Sequence, residues 1–216
     1  FLNLEKIKME ENEFFNQLIE KTRLAYKKSP VYEKYRHKNW NYAICDTPIK
    51  KGGDLLFGLN WGGKDHRAQE HMHPNYDRNF RLAKHADKYL GRYFKLKLED
   101  VNYSNLCFFR TPKSNLLEKK DWELSLPLFK EYVEFIKPPR SIMFGKPNNL
   151  LRENIKELNS VEFNQSKKKA FAYTGLLFGK YPFASVPHPS STVTNEGRHF
   201  LWSEIQGYLN KHEPLQ

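Results

Sequence analysis

Apolar residues recur with the spacing of an α-helix in several parts of the chain. In the first of these, residues 11–28, the side chains of Phe14, Leu18 and Tyr26 fall on one face. Ser29-Pro30 ends this pattern, because proline cannot continue a helix. Similar spacing predicts four further helices, over residues 80–90, 122–136, 150–158 and 196–209.

Short apolar runs that end in loops containing Gly or Pro lie between these helices. They predict buried strands over residues 54–60, 105–109, 141–144 and 183–186. Strands that alternate with helices favour an α/β fold, which we expect to be a three-layer α/β/α sandwich around a central, mainly parallel four-stranded sheet.

The chain shows no internal repeat and no linker that divides it. We therefore expect a single domain over residues 1–216. Residues 1–53 would form an N-terminal helical extension, and residues 54–209 would form the core that carries the chemistry.

The charge balance points to a polyanionic partner. Lys and Arg number 36 against 25 Asp and Glu, which gives a formal net charge of +11. Phosphate contacts release counterions and drive association, so nucleic acid is the favoured partner, although ribosome-associated and membrane-surface proteins share such a charge. Aromatic residues reach 15%, enough both to fill a core and to stack on bases.

Two cysteines and the absence of a long apolar run limit the remaining classes. Cys45 and Cys107 are far apart, so neither a zinc site, an iron–sulfur cluster nor a disulfide framework is indicated. We expect no metal, no cofactor, no membrane segment and a monomer. The expected location is cytoplasmic, nucleoid-associated in a bacterium or nuclear in a eukaryote.

Two further patterns in the sequence give weaker indications of a functional site. A group of histidines could suggest a metal, but no Cys pair or HExxH accompanies it, so solvated or DNA-facing histidines are the favoured interpretation. A group of carboxylates could suggest a two-carboxylate hydrolase, which sequence cannot support because that chemistry depends on spatial separation. The histidines are His66, His71, His73 and His85; the acids are Asp65, Glu70, Asp77 and Asp87.

Three motifs follow or enter the predicted strands. Gly58-Leu59-Asn60-Trp61-Gly62 is a tight turn with one amide at its apex, which also suits a generic nucleotide-binding turn. His188 lies between two prolines that fix the backbone, an arrangement that suits a catalytic donor but also an ordinary structural turn. Asn105, at the start of a buried strand, must hydrogen-bond either backbone or a ligand. Ligands bind beyond the carboxyl ends of parallel strands, so we expect these residues and Lys146 along one rim.

Together these motifs resemble the uracil-DNA glycosylase superfamily, most closely its single-strand-selective monofunctional branch. That branch has motifs like Gly-Met-Asn-Pro-Gly, Asn-Leu-Cys-Pro-Leu and His-Pro-Ser-Pro, and this chain has 58–62, 105–109 and 188–191 in the same order. A fourth match runs from Phe80 to Lys88-Tyr89-Leu90-Gly91. Trp61 and Phe108 replace two prolines of the family, and a His-rich stretch separates Asn60 from Phe80, so the substrate range remains open.

The resemblance implies hydrolysis of the N-glycosidic bond of uracil in DNA after base flipping. Asn60 would orient the attacking water, and His188 would donate to O2 of the departing base. Phe80 would stack on the flipped ring, and Asn105 would bind the uracil edge. Gly58 and Leu59 would line the pocket, and Gly62 would leave room near C5 for groups such as hydroxymethyl.

The resemblance also implies contacts with the DNA strand. Ser190 and Ser191 would contact the backbone, and Val193 or Arg198 would fill the gap left by the flipped base. Two alternatives remain open: a glycosylase for mismatched or deaminated bases other than uracil, and a non-catalytic relative that binds DNA or uracil.

Overall fold

A computed structural model describes residues 2–62, 68–72, 81–165 and 168–212 of the chain. Single 3-10 turns lie at Arg36–Lys38, Leu98–Asp100 and Ser114–Leu116. The helices are α1 (Leu2–Lys27), α2 (Pro30–Tyr35), α3 (Arg81–Phe94), α4 (Lys119–Ile136), α5 (Asn149–Arg152) and α6 (Asn195–Lys211). The strands are β1 (Leu55–Trp61), β2 (Asn102–Arg110), β3 (Ser141–Phe144), β4 (Ile155–Gln165), β5 (Lys168–Leu177) and β6 (Tyr181–Val186).

The strands form one open sheet in the order β2-β1-β3-β6-β5-β4. β1 pairs in parallel with β3, and β3 pairs in parallel with β6, whereas β5 and β4 extend the sheet antiparallel to their neighbours. This mainly parallel sheet flanked by helices confirms the predicted α/β class and is compatible with a three-layer sandwich. The four predicted strands are all present, but the described sheet has six strands rather than four.

The predicted helix over residues 150–158 is wrong beyond its first turn. α5 ends at Arg152, and β4 then begins at Ile155 and pairs with β5 along its length. The leucine spacing imitates a helix, but most β4 side chains are exposed and polar, so the strand lacks the apolar alternation that sequence reading requires. Pairing with β5 decides the structure, and Gly175 permits it, because a Cβ there would lie 2.6 Å from Ile155 Cγ2.

The chain divides into two compact units. Unit 1 comprises residues 1–51, 58–76 and 102–137. In this unit α1 packs on α4, with the rings of Phe14 and Phe135 stacked 3.8 Å apart. Residues 41–47 run beside β2, where Ala43 N donates to Phe108 O at 2.9 Å. These contacts bury β2, so its side chains have fixed positions.

Unit 2 comprises residues 52–57, 77–101 and 138–216. Trp202 of α6 is buried and stacks on Tyr89 of α3, with the ring centroids 5.3 Å apart. α3 and α6 are therefore packed together within this unit. At the start of β1, Asp54 accepts two hydrogen bonds from the guanidinium of Arg140, at 2.7 and 3.0 Å.

Candidate functional site

Asn60 lies within β1, near its carboxyl end, so the tight turn predicted over residues 58–62 is wrong: the strand continues to Trp61. The Asn60 side chain has one defined orientation. Its Nδ2 donates to Thr111 Oγ1 at 2.8 Å, to Thr111 O at 3.2 Å and to Trp61 O at 3.1 Å. Two of these acceptors are backbone carbonyls, which cannot donate, so the amide nitrogen must face them. The Thr111 hydroxyl donates its proton to Lys113 O at 2.9 Å, which leaves its oxygen free to accept from Asn60.

This arrangement leaves the carbonyl oxygen of Asn60 as an available acceptor. No donor among the described residues contacts Oδ1, and the side chain is half-buried. An amide oxygen held in this way can accept a hydrogen bond from a water molecule and so orient it. It cannot act as a general base near neutral pH.

Asn105 and Gly58 face each other within unit 1. Asn105 is only 3% exposed, and a Cβ built on Gly58 would lie 2.5 Å from its Oδ1. Only glycine therefore fits at position 58 while Asn105 keeps this rotamer. Asn105 is the fourth residue of β2 rather than the first, because the strand begins at Asn102 and not at 105 as predicted.

Among the residues that the structure describes, the side-chain amide of Asn105 has no hydrogen-bond partner. No described residue hydrogen-bonds to its side chain, and yet its polar atoms are not among those fully sealed from solvent. A buried amide without a partner is costly unless water or a ligand completes it.

Trp61, which stands where the resembled family has proline, belongs to the interior of unit 1. Its ring lies edge-on to Tyr103 at 5.5 Å, and the guanidinium of Arg110 lies over it at 5.4 Å. Burial lowers the pKa of Arg110, while burial raises the pKa of Asp46 against the opposing charge of Arg110. Sequence reasoning did not single out Arg110, since its relation to Trp61 depends on the pairing of strands.

The other residues predicted to surround the base are Leu59, Gly62 and Phe80. Leu59 is half-buried on β1, and Gly62 is exposed, with no atom of the described residues within 4 Å of the Cβ that a larger residue would carry. Phe80 lies outside the described residues.

The metal alternative gains no support from the described part of the chain. His66, His73, Asp65 and Asp77 lie outside it, and the residues it includes contain no group of three or more potential ligands.

His188 follows β6 in unit 2, and its hydrogen bonds define its tautomer. The backbone N–H of Ser190 donates to His188 Nδ1 at 3.2 Å, and Ser190 Oγ lies 2.7 Å from the same nitrogen. A nitrogen that accepts from a backbone N–H carries no proton, so in the neutral ring the proton is on Nε2. The side chain is exposed, and no described residue forms a hydrogen bond with Nε2.

Neighbouring charges favour the neutral form of this ring. Partial loss of hydration, then the positive charges of Arg198 and Arg81, lower the pKa of His188. The result at neutral pH is an uncharged imidazole that presents a single N–H donor to solvent. Such a group can stabilise negative charge that develops on a nearby oxygen.

Arg198 has a different role from the one predicted. It is 6% exposed, and its guanidinium donates to Ser191 O at 2.7 Å, to Pro189 O at 3.3 Å and to His188 O at 3.4 Å. A side chain committed to the loop in this way does not suit a wedge that must enter DNA. Arg198 instead fixes the backbone that carries His188.

A second support for this loop comes from the hairpin that sequence reading missed. Gln165, at the end of β4, donates to Thr192 O at 3.3 Å and accepts from Thr194 N at 3.1 Å. Ser190 and Thr192 are exposed on the loop, and Ser191 and Val193 are half-buried. Val193 therefore remains a candidate wedge.

Comparisons with known proteins leave the family open. The chain matches no family model and no curated protein. Among the described helices, none combines the length and the apolar character that crossing a membrane requires.

Proposed function

We propose that this protein is a monofunctional DNA glycosylase that hydrolyses the N-glycosidic bond of uracil in DNA and leaves an abasic site. The observation that carries the proposal is the tautomer of His188, a neutral imidazole whose Nδ1 is held by Ser190 so that the proton is on Nε2. In such a reaction the base departs as an anion, and a neutral N–H donor stabilises the negative charge that develops on it.

Bond cleavage moves electrons onto the base. The bond between C1′ of the sugar and N1 of uracil breaks, its electron pair stays with uracil, and the sugar passes through an oxocarbenium-like state. Negative charge grows on O2, to which His188 would donate. A preorganised donor of this kind contributes roughly 3–4 kcal/mol of transition-state stabilisation. Water then adds to C1′ and gives up its proton to solvent.

Asn60 would hold that water. Its Oδ1 would accept a hydrogen bond from the water, while the three acceptors around Nδ2 keep the amide from rotating. Because an amide does not remove the proton, the rate depends strongly on how well the base leaves. Uracil and its electron-poor derivatives are therefore the preferred substrates, and the absence of a side chain at Gly62 would leave room for a C5 hydroxymethyl group.

Asn105 would select the base. This amide, which has no partner among the described residues, would offer a donor and an acceptor to O4 and N3–H of uracil, whereas cytosine presents the opposite pattern. A mismatched edge leaves buried polar groups without partners, which is a strong basis for rejection. The net charge of +11 supports DNA as the partner.

The proposal is tested with labelled single- and double-stranded oligonucleotides that each carry one altered base. The panel contains uracil, 5-hydroxymethyluracil, thymine opposite guanine, and hypoxanthine, with unmodified DNA as the control. Alkaline cleavage reports the abasic site, and mass spectrometry identifies the released base. We expect excision of uracil and 5-hydroxymethyluracil, with thymine far slower. Excision of hypoxanthine alone would assign a different lesion, and tight binding of uracil-DNA without release would indicate a non-catalytic relative.

A further inference from the structure

A basic pocket lies in unit 2 beside the loop that carries His188. It has a volume of about 400 Å³, and α3, the loop after β6 and the start of α6 contribute to its lining. Arg81, Lys84 and Lys88 of α3 line it from one side, and Val193 and Arg198 line it from the other. All of these residues are described, and none of the three α3 cations belongs to the machinery assigned above.

The three cations of α3 share one helix face. Positions 81, 84 and 88 are separated by three and then four residues, the spacing that brings side chains to the same side of a helix. Within the described part of the chain, none of the three forms an ion pair with a carboxylate, and neither does Arg198. Positive charge is therefore concentrated in a concave surface without an internal counter-charge.

The positive charge of the pocket affects the pKa of His85, which also lines it. Burial, followed by the positive charges of Arg198, Lys88, His188 and Arg81, lowers the pKa of His85 to about 4. Nε2 of His85 is buried, and no described residue hydrogen-bonds to it. A polar atom in this condition is satisfied when a ligand or water reaches it.

We propose that this pocket binds a backbone phosphate of the DNA strand that carries the excised base. The inference rests on the proposed function and extends it, because it assigns α3 as the element that anchors the strand beside His188. A phosphodiester suits the pocket, since arginine offers paired donors to its oxygens and lysine offers a mobile point charge. The lining shared with the His188 loop, through Pro189 and Ser191, favours a DNA phosphate over an unrelated anion.

The test uses two double variants that remove the same charge. Lys84→Ala/Lys88→Ala removes two exposed lysines from the pocket, and alanine preserves the helix. Lys119→Ala/Lys120→Ala is the control, because both lysines are exposed at the start of α4 in unit 1. Fluorescence anisotropy measures binding of an undamaged single-stranded oligonucleotide over a range of KCl concentrations, and a second series uses uracil-containing DNA.

The pocket variant is expected to bind DNA about five- to twentyfold more weakly at low salt. The slope of log K against log salt should also become shallower, by about 0.7 for each phosphate that the variant no longer neutralises. The uracil-DNA concentration that gives half-maximal excision should rise by a similar factor, whereas the control should match the wild type. Equal weakening of DNA binding in both variants would overturn the proposal. It would also be overturned if the pocket variant lost affinity for inorganic phosphate but bound DNA as tightly as the wild type. If the wild type excises no base but the pocket variant still loses DNA affinity, the glycosylase assignment fails and the phosphate pocket stands.

Discussion

The backbone N–H of Ser190 and the hydroxyl of the same residue both lie within hydrogen-bonding distance of His188 Nδ1, at 3.2 and 2.7 Å. This relationship between neighbouring residues determines which ring nitrogen carries the proton. It therefore links the local geometry of a short loop to the chemistry assigned to His188.

Ser190→Ala tests that link. The variant keeps the backbone N–H but removes the closer contact, which contributes about 0.5–1.5 kcal/mol, so we expect single-turnover excision to slow roughly two- to tenfold. The neutral ring is the active form, and its pKa lies below the ordinary value, so activity is lost as pH falls through that pKa. Removing a bond that stabilises the neutral ring should move the acid limb of the pH–rate profile to higher pH. An unchanged profile would show that Ser190 does not set the state of the ring.

Thr111→Val tests the orientation of Asn60. The substitution keeps the shape of the side chain and removes the Oγ1 acceptor at 2.8 Å. With one of its three acceptors absent, the amide samples other orientations, so kcat should fall about three- to tenfold with little change in DNA affinity. Asn60→Ala should fall further and should not slow again when combined with Thr111→Val. Additive losses in the double variant would show that the two residues act independently.

Gly58→Ala tests the close approach of Asn105. The new methyl group would meet Oδ1 at 2.5 Å, so the variant should lose about 1–3 kcal/mol of unfolding free energy or displace the amide. Urea denaturation measures the first effect, and the ratio of uracil to cytosine excision measures the second. Adding Asn105→Ala should relieve the clash and recover stability without restoring selectivity. A Gly58→Ala protein as stable and as selective as the wild type would contradict the geometry.

His85 should make stability depend on pH. Its folded-state pKa of about 4 lies below the value near 6.5 expected when unfolded, so between these values the unfolded chain binds more protons. Stability should therefore fall as pH drops from about 6.5 towards 4, by about 1–2 kcal/mol attributable to this residue. His85→Gln should flatten that dependence in urea denaturation, whereas His37→Gln, on an exposed turn, should not. Identical pH dependence in wild type and His85→Gln would contradict the burial of the ring.

The sequence predicted what depends on local patterns. Apolar runs identified β1, β2, β3 and β6, and the motifs around Asn60 and His188 identified two polar groups with defined local geometry. β4 was missed because most of its side chains are polar and exposed. β5 is largely apolar and mostly buried or half-buried, and it was missed although its pattern is that of a strand.

The supporting residues could not be predicted for a different reason. Thr111 contacts Asn60 across 51 positions, and Gln165 contacts Thr192 across 27. Nothing near Thr111 or Gln165 in the sequence marks these contacts, since they arise only after the strands pair. Arg198 was predicted as a candidate wedge because sequence alone does not reveal that its guanidinium donates to the loop carbonyls.

The most direct test of the central claim is single-turnover excision from a uracil-containing single strand, followed by alkaline cleavage. The comparison is between the wild type, His188→Ala and His37→Ala, the last being a matched loss of an exposed imidazole. We predict that the wild type produces abasic strands, that His188→Ala is slower by about a hundredfold to a thousandfold, and that His37→Ala equals the wild type. Excision by His188→Ala at the wild-type rate, or no abasic product from the wild type on uracil or any other altered base, would contradict the account.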